Sequence, residues 1–161
     1  MRFTTIDSPV GPLRLVADDA GLRRLEFRDG RAFVPLPDDW TEDAKALRPV
    51  ARQLEEYFAG KRKVFDLALE PEGTPFQRRV WERLLEIPYG ETISYGTLAR
   101  RVGNANASRA VGLANGRNPI AIIIPCHRVI GSNGTLTGYG GGLPTKQKLL
   151  ELERGQIRLV C

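Results

Sequence analysis

Ile120-Ala121-Ile122-Ile123-Ile124-Pro125-Cys126-His127-Arg128-Val129 is the stretch on which both the fold and the chemistry turn. Five apolar residues in a row read as a buried strand. Pro125 has no N–H to give to a sheet, so the strand is expected to end there, leaving Cys126 at its terminus. His127, the only histidine of the 161-residue chain, follows directly. A lone cysteine is by default an inert core residue. The strand-end position, the adjacent imidazole and the basic surroundings argue instead for a nucleophile. The thiolate is the reactive form, and it needs a base or a positive environment. A basic environment is expected to raise the thiolate fraction above that of a free thiol, which titrates near ~8.5. Neighbours on an extended chain point to opposite sides. Either the backbone turns at Cys126-His127, or a water carries the proton between them. The imidazole also needs an orienting acid, and the last helix offers Glu151 and Glu153.

Working outward, the segment before this stretch reads as short helices. Thr74 is an N-cap with Pro75 at the first helical position. The helix it opens should run from Phe76 to about Ile87, with Phe76, Val80, Leu84 and Ile87 inward. Pro88-Tyr89-Gly90 stops it. Ser94 caps a short helix over Tyr95–Val102, residues 103–107 form a tight connection, and Ser108 opens another helix to about Asn115. Two short helices around a Gly/Asn turn suggest a helix-turn-helix. The second of them carries Arg109 among small residues, with Val111 and Leu113 expected in the core. Such a helix suits close approach to a DNA groove with little reading of base edges. Downstream, Gly138-Tyr139-Gly140-Gly141-Gly142 is a loop that exposes backbone, and Pro144–Glu153 is a helix with Leu149, Leu150 and Leu152 on its apolar face.

The N-terminal part reads as strands at Phe3–Ile6, Leu13–Ala17 and Leu22–Phe27, separated by turns. Arg31–Trp40 reads as loop. Asp43–Phe58 has helical spacing with Leu47, Val50, Ala51, Leu54 and Phe58 on one stripe, Gly60 ends it, and Val64–Leu69 is a further strand. No catalytic constellation falls here, so residues 1–72 are expected to be a sheet-plus-helix scaffold. Pro71–Pro75 is a linker, and residues 73–161 carry the function. The fold class is α/β in the broad sense (α+β), a small sheet-plus-helix lobe followed by a mostly helical domain with a helix-turn-helix and an active-site loop.

Net charge is +5 and uneven. Residues 1–72 carry 12 basic and 14 acidic side chains, whereas residues 73–161 carry 12 basic and 5 acidic. No acid lies between Thr92 and Leu150, a span holding Arg100, Arg101, Arg109, Arg117, Arg128, Lys146 and Lys148. This is the footprint of a polyanion partner, nucleic acid above all. No apolar run is long enough to cross a membrane and no basic-then-apolar leader is present, so a soluble, cytoplasmic chain is expected. Two cysteines make no disulfide framework. With one histidine and no paired spacing they make no zinc site either, and no metal or cofactor is expected.

Ile-Pro-Cys-His-Arg-Val at 124–129 resembles the active-site motif of the O6-alkylguanine-DNA alkyltransferases, the methylated-DNA–protein-cysteine methyltransferases. Further blocks follow in family order: Phe76–Trp81, Ile87–Thr92, Ser94-Tyr95, Ser108–Gly112, Asn118-Pro119 and Tyr139–Gly142. The N-terminal lobe is similar more loosely, through Thr5–Leu13. The resemblance implies a stoichiometric repair protein that flips an alkylated guanine out of duplex DNA and keeps the alkyl group on Cys126. It implies that His127 deprotonates Cys126 through a water, and that Glu153, favoured over Glu151 by its spacing to Cys126, orients His127. It implies that Tyr95 donates to guanine N3 and that Asn118 braces the turn before the cysteine. Arg109 would fill the stack, with Ser94, Ala110, Gly112 and Arg128 on the DNA, while Val129, Tyr139 and Gly140 join Tyr95 in the pocket. Double-stranded DNA is the expected partner of a monomer, with cooperativity along DNA left open. A thiol hydrolase or a non-enzymatic lesion-binding protein is the alternative. Some relatives hold zinc in the N-terminal lobe, but the ligands for it are lacking here.

Overall fold

A computed structural model describes residues 1–28 and 33–159. Cys161 and part of the Arg31–Trp40 loop lie outside the described residues. The architecture is mixed α+β, an N-terminal sheet lobe followed by a helical domain. Strands β1 (Arg2–Ile6), β2 (Leu13–Ala17) and β3 (Leu22–Phe27) form an antiparallel meander. A two-residue strand, β4 (Thr41–Glu42), pairs parallel to β1 and completes the sheet order β3-β2-β1-β4. Leu13, Leu15 and Leu25 are buried in one core with Leu54, Tyr57 and Phe58 of helix α1 (Arg48–Phe58). Each such burial stabilises by about 1.5–3 kcal/mol.

Helix α1 starts later than its spacing predicts, because residues 44–47 form turns and Pro49 sits in the first helical turn. Its buried stripe is Val50, Gln53, Leu54, Tyr57 and Phe58. Tyr57 was absent from the predicted stripe, and Ala51 is only half-buried. Val64–Leu69 is not a strand. It makes one bridge, Leu69 to Leu22, and is otherwise held by Gln53, whose amide donates to Asp66 O and accepts from Asp66 N at 3.0 and 2.9 Å. A side chain here supplies the bonds that a neighbouring strand would.

In the second half, α2 spans Pro75–Leu84 behind a capping box in which Thr74 and Gln77 satisfy each other's backbone N–H groups. The chain then leaves the helix through turns to the buried Ile87. Trp81 fastens α2 to α4 (Ser108–Gly116) by donating from Nε1 to Ala114 O at 2.9 Å. Helix α3 (Tyr95–Val102) is capped by Ser94, whose Oγ accepts from Thr97 N, and ends at Gly103 with φ 102°. Helices α3 and α4 pack as the predicted helix-turn-helix pair.

Ile120–Ile124 corrects the sequence reading. It is a buried turn and not a strand, with one bridge from Ile120 to Leu25. Ile122 has φ 70°, and Ile123 N donates to Ala121 O across it at 2.8 Å, a γ-turn. Pro125, with φ −82° and ψ 64°, makes an inverse γ-turn closed by Cys126 N to Ile124 O. Periodicity cannot separate such a knot from a strand, since both read as continuous apolar residues. After it, Cys126–Arg128 is one turn of 3-10 helix and β6 (Val129–Ile130) pairs parallel to β5 (Ile93–Ser94). That pairing sets the cysteine turn beside the start of α3. Helix α5 (Leu143–Glu153) closes the domain.

Candidate active site

The knot before Cys126 is braced by Asn118. Its Nδ2 donates to Ile124 O at 2.8 Å and its Oδ1 accepts from Ile120 N at 3.0 Å, so one side chain ties both ends of the turn. A β-branched residue in the left-handed region, as at Ile122, is strained and persists only when its surroundings over-determine it. Asn118 and the burial of all five apolar residues do so here.

Cys126 is a free, buried thiol on the wall of a cavity of about 540 Å³. Asn115, Asn118, Tyr139 and Gly140 share that wall with Phe27 of β3, so the sheet lobe contributes to it directly. Burial pushes the thiol above its ordinary value, against the smaller opposing pulls of Asn118, Lys146 and nearby backbone N–H groups. This reverses the expectation of an environment-activated thiolate. Two of the seven basic residues in the acid-free span, Arg128 and Lys146, are buried and engaged elsewhere, and desolvation outweighs the charge that remains.

The backbone does turn at Cys126-His127, as one turn of 3-10 helix. His127 is fully buried, and its Nε2 donates to Glu153 Oε2 at 2.6 Å. A carboxylate only accepts, so Nε2 carries the proton and Nδ1 is left as the basic nitrogen. Nδ1 has no hydrogen-bond partner among the described residues. Burial lowers the imidazole's pKa despite the pull of Glu153, which keeps it neutral and able to accept a proton.

Glu153 is the hub of the site. Its Oε1 accepts from Arg128 Nε at 2.7 Å and Gly90 N at 3.3 Å; its Oε2 accepts from Tyr57 Oη at 2.6 Å, from His127, and from Arg128 Nη2 at 3.1 Å. Burial alone would raise this carboxyl. The bonds from His127 and Arg128 outweigh it and hold the group well below the usual carboxylate range. Glu151, its competitor from sequence, lies at the surface and takes a bond from Gln147 at 2.8 Å. The difference is helical phase: Lys146, Leu149, Leu150, Leu152 and Glu153 are the buried residues of α5, and Glu151 is not among them.

Several other predicted residues sit differently. Arg128 is buried, forks onto Glu153, donates to Ile87 O at 2.7 Å and stacks 5.7 Å from the Tyr89 ring, so it offers nothing to DNA. Val129 is fully buried and absent from the cavity wall; its carbonyl accepts from Lys146. Tyr95 is also off that wall, donating to Thr137 O at 3.3 Å and accepting from Thr137 Oγ1 at 3.2 Å. Ser94 spends its hydroxyl on the α3 cap. On α4, Val111, Ala114 and Asn115 are buried, while Leu113 is 58% exposed and shares the outward face with Arg109 and Ala110. Leu113 was expected in the core, but it falls one turn from Arg109. Gly112 faces Tyr95, whose ring lies 3.6 Å from where a Cβ would stand. Arg100, Arg101, Arg109, Arg117 and Lys148 all stay exposed.

Three residues of the site escaped the sequence reading. Lys146 is fully buried and donates from Nζ to Val129 O at 2.7 Å and Thr137 O at 2.9 Å, stapling the glycine-rich loop to the cysteine turn. Its place on the Leu149/Leu150 stripe was the available signal. Tyr57 sits on the inward stripe of α1, and a buried tyrosine hydroxyl requires a partner. Asn115 had no signal beyond its place beside small residues. Among the described residues no cluster of three or more His, Cys, Asp or Glu could hold a metal ion, and no helix is long and apolar enough to cross a membrane.

A buried thiol on a cavity wall, next in the chain to a histidine–carboxylate pair and in a domain with an exposed basic helix pair, is the layout of a protein that takes a group onto its own cysteine. Residues 75–155 match the DNA binding domain, and residues 1–71 the ribonuclease-like domain, of 6-O-methylguanine DNA methyltransferase. The methylated-DNA–protein-cysteine methyltransferase of Methanosarcina acetivorans is 56% identical over 153 residues, covering 95% of this chain and 98% of its own. That of Mycobacterium tuberculosis is 52% identical over 156 residues, covering 97% and 94%. The crystal structure of Mycobacterium tuberculosis OGT in complex with DNA superimposes with a TM-score of 0.91 at 51% identity, covering 98% of this chain and 96% of that one. The chain belongs to the methylated-DNA–protein-cysteine methyltransferase family.

Proposed function

We propose that this chain repairs duplex DNA by moving the alkyl group of O6-alkylguanine irreversibly onto Cys126, one group per molecule. The observation that carries the reading is Cys126 on the cavity wall with the His127–Glu153 pair behind it. The lesion carbon lies inside the stack, so the base must leave it, at a cost of a few kcal/mol. Arg109, exposed on α4, would hold the gap, and Ala110 and Gly112 would let the helix approach the groove.

A water would bridge His127 Nδ1 and Cys126 Sγ. His127 takes the thiol proton through it, and Glu153 steadies the imidazolium. The raised thiol supports the need for such a base, since Cys126 stays protonated at rest. Sγ attacks the alkyl carbon in line; the S–C bond forms, the C–O6 bond breaks, and its electron pair goes to the guanine. Tyr95 would exchange Thr137 for guanine N3 and offset that charge, with Gly140 N–H near O6. Tyr139 would wall the pocket, and Asn118 would keep the turn rigid. Residues 1–72 would serve as scaffold and 73–161 as the DNA-binding and transfer domain of a cytoplasmic monomer.

Mass spectrometry after incubation with O6-methylguanine duplex tests this. One CH2 gained on Cys126 per lesion repaired is expected, and recovery of free thiol with repeated turnover would reject it. A purely lesion-binding protein would leave Cys126 unmodified and bind as well after Cys126→Ala. For Arg109→Ala, repair of duplex should fall far more than reaction with free O6-benzylguanine; equal losses would remove its role as the stack-filling residue.

A further inference from the structure

Besides lining the cavity with Phe27, the N-terminal lobe hydrogen-bonds directly to the Glu153 carboxylate, through the Tyr57 hydroxyl. We infer that Tyr57 is a positioning residue for alkyl transfer: its hydroxyl, delivered from the other lobe, shares Glu153 Oε2 with His127 and sets how strongly that carboxylate draws on the imidazole. The inference rests on the reading of His127 as the base for Cys126.

Tyr57 lies 96 residues from Glu153 and is fully buried, and its Oη–Oε2 distance equals the 2.6 Å of the His127 bond. Two short bonds converge on one oxygen, which Arg128 Nη2 also touches at 3.1 Å. Each donor polarises Oε2 toward itself and lowers its field at the others. Removing the phenol therefore leaves more negative potential at His127 Nε2 and favours the imidazolium. Burial, reinforced by the charge of Glu153, holds the Tyr57 phenol far above its ordinary value, so it remains a donor throughout. The charged and titratable neighbours of the pair come from every packed element: Tyr57 from α1, Tyr89 from the loop before β5 with Lys63 over its ring, Cys126 and Arg128 from the 3-10 turn, Tyr139 from the glycine-rich loop, and Lys146 from α5. Of these, only Tyr57 and Arg128 donate to Glu153 alongside His127, and only Tyr57 is uncharged. Its removal retunes the carboxylate without stripping a countercharge.

The test compares wild type and Tyr57→Phe in tag-free protein. His127 is the only histidine, so one set of imidazole NMR signals reports its titration without assignment. The midpoint is expected to rise by about half a pH unit, and the acidic limb of Cys126 alkylation by O6-benzylguanine to rise with it. At a pH below both midpoints that is a roughly threefold loss of rate, with none above the limb. The 3-fluorotyrosine side chain at position 57, a stronger donor of nearly unchanged shape, should move both midpoints down. A Tyr57→Phe protein that melts lower while both curves superimpose on wild type would overturn the inference and leave Tyr57 a structural contact. If the wild-type rate does not follow His127 at all, the base reading fails, and the NMR titration still decides whether Tyr57 tunes the imidazole.

Discussion

Replacing Arg128 by methionine separates the two roles that this side chain could have. In the structure it is 8% exposed at the side chain and forks onto a carboxylate that is 0% exposed, while a third bond reaches Ile87 O. Arg128→Met keeps most of the volume and removes all three donors. Breaking a buried ion pair at one partner costs about 3–5 kcal/mol, because the other charge is left uncompensated. Glu153 keeps Tyr57, Gly90 and a His127 that can take up a proton, so the low end, about 3 kcal/mol, is expected. At about 2–4 °C per kcal/mol for a chain of this size, the melting temperature should fall by roughly 6–12 °C. The assay is thermal unfolding at pH 7, paired with the salt dependence of duplex binding at a temperature where the variant is folded. A residue on a phosphate would lower the salt slope by about one and leave stability nearly untouched. The buried clasp predicts the reverse. A melting shift under about 2 °C together with a reduced slope would refute the reasoning.

Gly112→Ala should be accepted by the fold, since the new Cβ meets Tyr95 at an ordinary 3.6 Å and gains up to about 1 kcal/mol of helix propensity. Duplex affinity should nonetheless fall in a filter or anisotropy assay if α4 needs that space against DNA. Lys146→Met takes the ammonium donor from Val129 O and leaves Thr137 O only the longer Tyr95 bond, so denaturant titration should show a loss of about 1–3 kcal/mol and Cys126 alkylation should slow as the 131–142 loop loosens. Stability should decline in two acid stages, followed by unfolding midpoints against pH. Burial lowers the folded pKa of His127, so stability begins to drop below about pH 6.5, where only the unfolded chain takes the proton. Glu153 is depressed, so its contribution is full above about pH 4.3 and is lost as pH falls further; Glu153→Gln should flatten that second stage.

Much of the local architecture was legible in the chain. The meander strands, the Thr74 and Ser94 caps, the helix-turn-helix pair and α5 follow from alternation, capping chemistry and helical phase, all of which are near-neighbour effects. The Cys126-His127 adjacency and the choice of Glu153 were legible too, through the resemblance and through spacing. Failures came where a long-range partner overrode a local pattern. Val64–Leu69 has strand composition, but Gln53 rather than a strand satisfies it. Leu113 is apolar, yet the phase of Val111, Ala114 and Asn115 turns it outward.

The sequence by itself determined the thiol, its only imidazole, the acid-poor half around them and the elements that carry them. Those are properties of residue identity and of periodicities spanning a few positions. Only the tertiary structure decided what the apolar run 120–124 becomes, because a strand and a buried knot of γ-turns bury the same side chains and differ only in where their backbone bonds go. It alone decided the sign of the Cys126 shift, since desolvation depends on everything packed around the sulfur. It decided that Arg128 and Lys146 are struts rather than part of a DNA-facing surface, because charge counted along a chain carries no information about which way a side chain points. And it brought Tyr57 across 96 residues onto Glu153, a contact that no spacing rule could encode.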